Sequence, residues 1–90
     1  MFIKAVKIDT RIIVKIYEKH FVLSDEIEKV LKEGKPIFKR VGGNQYLAIG
    51  LVERYLTIFF TYNNKTKGVT ITTAYPSSKK QIKSYKKLTR

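Results

Sequence analysis

The sequence predicts an α+β fold: an N-terminal strand and two short helices, a four-stranded, mainly antiparallel sheet, and a basic C-terminal helix. Three patterns predict it. From Pro36 onward, four apolar runs are separated by short turn-forming segments, the pattern of an antiparallel meander. Ser24 to Glu33 has Asp25 and Glu26 in a first turn, basic residues toward its end and Gly34 as a stop, the pattern of a capped helix. Finally, strand alternation ends at Tyr75-Pro76, and a lysine-loaded helical pattern follows in which Ser78 and Gln81 have the spacing of a capping box.

Phe2 to Ile8 alternates as an edge strand, with Ile3, Ala5 and Lys7 on one side and Phe2, Lys4, Val6 and Ile8 on the other. Arg11 to Tyr17 has two readings. Its β-branched residues favour a strand, whereas Ile13, Ile16, Tyr17 and His20 fall at helical spacing, with Asp9 or Thr10 available as a cap. In the helix that follows, Ser24 is the N-cap and Ile27, Val30 and Leu31 form the buried stripe. The four strand runs are Pro36 to Val41, Tyr46 to Leu51, Tyr55 to Tyr62 and Val69 to Tyr75. In the third run Leu56, Ile58, Phe60 and Tyr62 alternate with Thr57, Phe59 and Thr61. In the fourth, Val69, Ile71 and Thr73 alternate with Thr70, Thr72 and Ala74. One sheet face is therefore oily and the other rich in threonine, which suits a solvated antiparallel sheet. On the last helix Ile82, Tyr85 and Leu88 form an apolar stripe, and Tyr85 reads as structural.

Lys and Arg outnumber Asp and Glu 19 to 7, a formal charge of +12 on 90 residues. Such an excess points first to nucleic acid, with an anionic membrane surface or an acidic protein as competing partners. The length allows one domain, residues 1–90, around a single core. With no cysteine there is neither a disulfide framework nor a thiolate zinc site. No apolar run reaches the length of a membrane span, and MFIKAVKIDT lacks the apolar centre of a signal peptide, so a cytoplasmic location without membrane attachment is expected.

Candidate functional residues follow from chemistry. Lys79 and Lys80 sit at the positive end of the last helix dipole, where cations are unfavourable unless an anion offsets them. A phosphate backbone would do so, with Lys83, Lys86 and Lys87 as further contacts. The threonine face then reads as a floor for RNA, edged by Arg40, Arg54 and these lysines. His20 is the single histidine, a residue type that exchanges protons near neutral pH; at a helix end it also suits the negative dipole and the closing of a core. Arg54, in a tight loop beside Glu53, can brace a phosphate or simply form a solvated turn. Tyr75 precedes Pro76 and is held extended, so its ring can stack on a base and its hydroxyl can share in proton transfer, or it can serve as a rim tyrosine. The carboxylates are mostly isolated, and Asp25, Glu26 and Glu28 belong to an ordinary helix, which argues against a metal centre. Gly42-Gly43 lacks the spacing of a phosphate loop. No cofactor is expected.

Asp9, Lys19-His20, Val22, Asp25-Glu26, Ile49-Gly50, Thr73-Ala74 and a basic helix containing Tyr85 occur in an order that resembles the BrnT toxins, of the RelE and ParE superfamily of toxin–antitoxin pairs. The resemblance spans nearly the whole chain. It implies a helix over Thr10 to His20, a RelE-like fold, RNA as substrate and an acidic antitoxin as partner. Phe21 stands where the family usually has Gly, and Tyr75 where it has Arg. The sequence thus leads to a toxin-like, metal-independent endoribonuclease with His20, Arg54 and Tyr75 as catalytic candidates. A non-catalytic nucleic-acid-binding module of the same fold is the alternative, and an acidic-protein interaction domain would account for the charge alone.

Overall fold

The computed structural model describes residues 1–89; Arg90 lies outside them. The chain runs β1 (Ala5–Lys7), α1 (Thr10–His20), α2 (Ser24–Glu33), β2 (Ile37–Gly42), β3 (Gln45–Leu51), β4 (Tyr55–Asn63), β5 (Gly68–Pro76) and α3 (Lys79–Leu88). It is an α+β fold with three helices, and α1 is a helix despite its β-branched residues. Asp9 caps it, its Oδ1 accepting from the Arg11 amide at 2.8 Å. Phe21 closes it in the left-handed region (φ 55°, ψ 37°) with its N–H on the Tyr17 carbonyl, a conformation more usual for glycine.

The sheet differs from the expected four antiparallel strands. It has five, in the order β1-β5-β4-β3-β2, and is mixed, because β1 adds parallel to β5 through Ala5, Val6 and Lys7 opposite Gly68, Val69 and Thr70. The meander β2–β5 is antiparallel as expected. The first strand is also shorter than its pattern, and Ile3, Val6 and Ile8 all pack on the core, so strict alternation fails before Ala5.

A bulge in β5 changes the faces. Phe59 pairs with Thr73 while Phe60 pairs with Ile71, which leaves Thr72 without a partner on β4. The extra residue reverses the alternation beyond it. Ala74 therefore joins Val69 and Ile71 in the core, and Thr73 turns to the threonine face, the opposite of the expected assignment.

The principal core lies between the helical pair and one sheet face. Ile16 of α1, Val22, and Ile27, Val30 and Leu31 of α2 meet Ala48, Leu56, Ile58, Phe60, Val69, Ile71 and Ala74. Phe38 stands edge-on to Phe60 and Tyr46 stacks on it, with ring centroids 6.1 and 5.9 Å away. Tyr17, expected on the apolar stripe of α1, is instead half exposed, in an edge contact with Phe21. At the start of α2 the cap is Leu23, one residue before the expected Ser24. Glu26 reaches back to accept from the Leu23 amide, the half of a capping box that does not depend on a capping hydroxyl.

Gly50 fixes how closely α2 approaches the sheet. A Cβ there would stand 2.8 Å from Val30 Cγ1, 3.2 Å from the Gly34 carbonyl oxygen and 3.3 Å from Pro36 Cβ. Val30 is fully buried and β-branched, so it has no free rotamer into which to retreat. Gly50→Ala should therefore destabilise the protein by about 1–3 kcal/mol through overpacking, read as a lower urea midpoint with an unchanged slope.

Candidate nucleic-acid interface

The second sheet face is only half covered. Helix α3 lies over the rows that contain Ile49, Thr57 and Tyr55, and it is held there by buried Ile49 and Tyr85 together with a set of polar contacts. Ser78 and Gln81 form the expected capping box: Ser78 Oγ accepts from the Gln81 amide at 3.2 Å, and Gln81 Oε1 accepts from the Ser78 amide at 2.8 Å. The same Oε1 accepts from Thr57 Oγ1 at 3.0 Å. Thr57 is fully buried and has a single hydroxyl hydrogen, so its 2.8 Å contact with Ser77 has Ser77 as the donor. Because a backbone N–H can only donate, the amide orientation of Gln81 is fixed. Its Nε2 faces Tyr75 and donates to the phenol oxygen at 2.9 Å. At the other end of the helix, Tyr85 is buried, shares its one hydroxyl hydrogen between the Gly34 and Lys35 carbonyls at 3.2 and 3.1 Å, and meets Tyr55 edge-on.

With its oxygen accepting from Gln81, Tyr75 keeps its own hydroxyl hydrogen free to donate. Its ring contacts His20, centroid to centroid 5.8 Å, and Phe59 at 6.1 Å. His20 ends α1 and is half-buried, brought to the end of β5 by the tight turn at Phe21. The strand β1 pairs only with Gly68, Val69 and Thr70, so it leaves this end of β5 to the helix. The structure thus brings two of the three catalytic candidates together.

Arg54 lies at the same end of the sheet, but its guanidinium is engaged. Nε and Nη2 grip the Glu26 carboxylate at 2.6 and 3.0 Å, and Nη2 also donates to the Phe21 carbonyl at 2.7 Å. These bonds tie the β3–β4 turn to the start of α2 and to the turn after His20. Arg54 is thereby tied through Nε and Nη2 to Glu26 and to the residue after His20, which leaves only Nη1 without a partner among the described residues. The charge-assisted bond to Arg54 holds the Glu26 carboxyl below its usual range, opposed by burial and aided by the Leu23 amide. The same bond raises the Arg54 guanidinium further above its already high value.

Arg40 does not edge this floor. Its register opposite Tyr46 puts it on the core face with Phe38, and its Nε donates to the Gly43 carbonyl at 2.8 Å. The basic residue of β2 on the threonine face is Lys39, whose Nζ lies 2.8 Å from Ser84 Oγ on α3. Helical periodicity then sorts the α3 lysines, all of which are exposed. Lys80 and Lys87 share the side of Ser84, facing the open half of the floor. Lys83 points outward, and Lys79 and Lys86 lie on the opposite side. Among the described residues, none of the five is paired with a carboxylate; the ion pairs are Arg11–Asp9, Lys32–Glu28 and Arg54–Glu26.

Beyond α3 the open floor is built from two cross-strand rows. One runs Lys7, Thr70, Thr61, Gln45 and the other Thr73, Phe59, Leu47, Lys39. Sequence reasoning passed over Lys7, Lys39, Gln45 and Phe59. The available signal was Phe59, an aromatic residue standing in the threonine row of its strand. Among the described residues, no three of the His, Asp and Glu side chains converge on one point, and no helix is long and apolar enough to cross a membrane.

Two outcomes test this arrangement. Gln81→Leu removes half of a capping box and strips Thr57 of its acceptor, so it should cost about 2–3 kcal/mol in chemical denaturation. The Glu26 carboxyl, depressed in the folded state, contributes stability that is complete above its ordinary value of 4.5 and is lost as pH falls through the folded value. Thermal midpoints of Glu26→Gln should therefore lie below those of the parent at neutral pH, and the gap should close on acidification. A constant gap down to acid pH would contradict this.

Compared with known protein families and with curated proteins, the chain matches none of them.

Proposed function

We propose that the protein is a toxin-like, metal-independent endoribonuclease of a RelE-like fold, acting in the cytoplasm and kept in check by an acidic antitoxin that covers the basic half-open face. The contact between His20 and Tyr75 beside the lysines of α3 carries this reading. RNA cleavage without a metal needs a base for the 2′-hydroxyl proton, an acid for the leaving 5′-oxygen, and cations around the phosphorus. His20 serves as the base. As the 2′-oxygen attacks, the bond from phosphorus to the 5′-oxygen breaks, that oxygen takes the Tyr75 proton, and a 2′,3′-cyclic phosphate remains. Lys80, next to Gln81 at the start of α3, supplies positive charge near the phosphorus, and Lys87 and Lys39 hold phosphates farther along the strand.

The engagement of Arg54 with Glu26 favours a second reading, a non-catalytic RNA-binding module with the same surface. Two measurements separate them. In EDTA, the protein should cut single-stranded RNA but neither DNA nor 2′-methoxy RNA, and His20→Ala and Tyr75→Phe should each slow cleavage at least roughly tenfold with the fold intact. Cleavage unaffected by both changes would overturn the site, and no cleavage of any RNA, ribosomes included, would leave the binding module. On either reading affinity should fall steeply with salt, and replacing Lys39, Lys80 and Lys87 together by Ala should flatten the slope of log affinity against log salt by up to about 2. Affinity indifferent to salt would exclude both.

A further inference from the structure

Beside Phe59, the bulge at Thr72 opens a cavity of about 230 Å³ lined by Gln45, Tyr46, Phe59, Phe60, Thr72 and Thr73. It lies on the open half of the threonine face, outside the residues assigned to proton transfer. We propose that this cavity holds one unpaired nucleobase of an RNA strand, stacked on Phe59 and read at its edge by the Gln45 amide, and that it confers base preference. The proposal rests on the RNA reading above.

Size is the first argument. The volume falls below the roughly 300–1,000 Å³ of ordinary small-molecule sites and suits a single planar heterocycle. Chemistry is the second. Phe59 is partly exposed in a row that ends in Thr73 on one side and Lys39 on the other, and an aromatic ring on a solvated sheet is a stacking platform for any base. Among the described residues the Gln45 side chain makes no hydrogen bond, and its amide offers one acceptor beside its donors. That is the complement of the N6/N7 edge of adenine. Thr72 and Thr73 add hydroxyls that can donate or accept.

Charge supplies the third argument. Lys7 stands at one end of the Gln45 row and Lys39 at one end of the Phe59 row, with Lys80 and Lys87 along α3, so the cavity has cations around it for the phosphates of the same strand. Position is the last. The rings of Phe59, Tyr75 and His20 follow one another at 6.1 and 5.8 Å. A nucleotide whose base lies on Phe59 is therefore within reach of the Tyr75–His20 pair.

The test is fluorescence anisotropy with short single-stranded 2′-methoxy RNAs of one base each, which are not cut, and with an abasic 2′-methoxyribose-phosphate chain of equal length and charge. The parent protein should bind oligoadenylate tightest and at least roughly fivefold more tightly than the abasic chain. Gln45→Ala, at an exposed position that leaves the core intact, should remove the preference among bases. Phe59→Leu should bring every base-bearing RNA down to the abasic affinity, which itself should not change. Equal binding of base-bearing and abasic chains by the parent protein would overturn the inference while leaving phosphate recognition in place. So would a preference that both substitutions leave intact. Failure of all the chains to bind, the abasic one included, would instead remove the RNA reading and this inference with it.

Discussion

One side-chain amide determines how this protein presents its charge. Gln81 closes the cap of α3, accepts the only hydrogen bond that a fully buried Thr57 hydroxyl can donate, and donates to Tyr75. α3 is mostly lysine on its outer surface, with a narrow stripe of Ile82 and Tyr85 beneath, so hydrophobic burial alone gives it a weak hold on the sheet. A buried polar node is costly when partly satisfied and rigid when complete. This one is complete. It fixes the helix over one half of the face and leaves the other half open, and it fixes the direction of the Tyr75 hydroxyl at the same time.

The two faces of the sheet consequently have different tasks. The face under α1 and α2 is a conventional apolar core, closed tightly enough at Gly50 that a methyl group would not fit. The other face carries a short polar seam under α3 and then an open floor with lysines around it. Arg54 links the two sides, because its grip on Glu26 and on the Phe21 carbonyl holds the turn that delivers His20 to Tyr75. A residue whose loop position suggests a free cation is thus held in a carboxylate pair that braces the turn after His20.

Local signals in the sequence were informative wherever the physics is local. The Ser78–Gln81 spacing, the acidic first turn of α2 with Gly34 behind it, and the alternation of β3 and β4 each identify their element, because capping and pleating act over a few residues. What failed depends on partners far away in sequence. The parallel pairing of β1 with β5 joins strands about sixty residues apart and leaves no mark on either. The Thr72 bulge is one unpaired residue, yet it exchanges the faces of Thr73 and Ala74. Arg40 falls on the core face because of the register of β2 against β3, and Arg54 meets a carboxylate 28 positions away. Of the floor, the threonines and the C-terminal lysines were legible, whereas Lys7, Lys39 and Gln45 become part of it only through strand order.

The central claim is that the half-open threonine face, with α3 and the His20–Tyr75 contact, is where RNA binds. Amide and side-chain NMR spectra recorded during titration with a non-cleavable 2′-methoxy RNA test it most directly, since they report every residue at once. The account predicts shifts confined to the threonine-face residues of β4 and β5, α3, Lys7, Lys39, Gln45 and the His20 and Tyr75 rings, with α2 and the core-face residues unmoved. Shifts centred on α2 or on the exposed side of α1, with the threonine face silent, would contradict it.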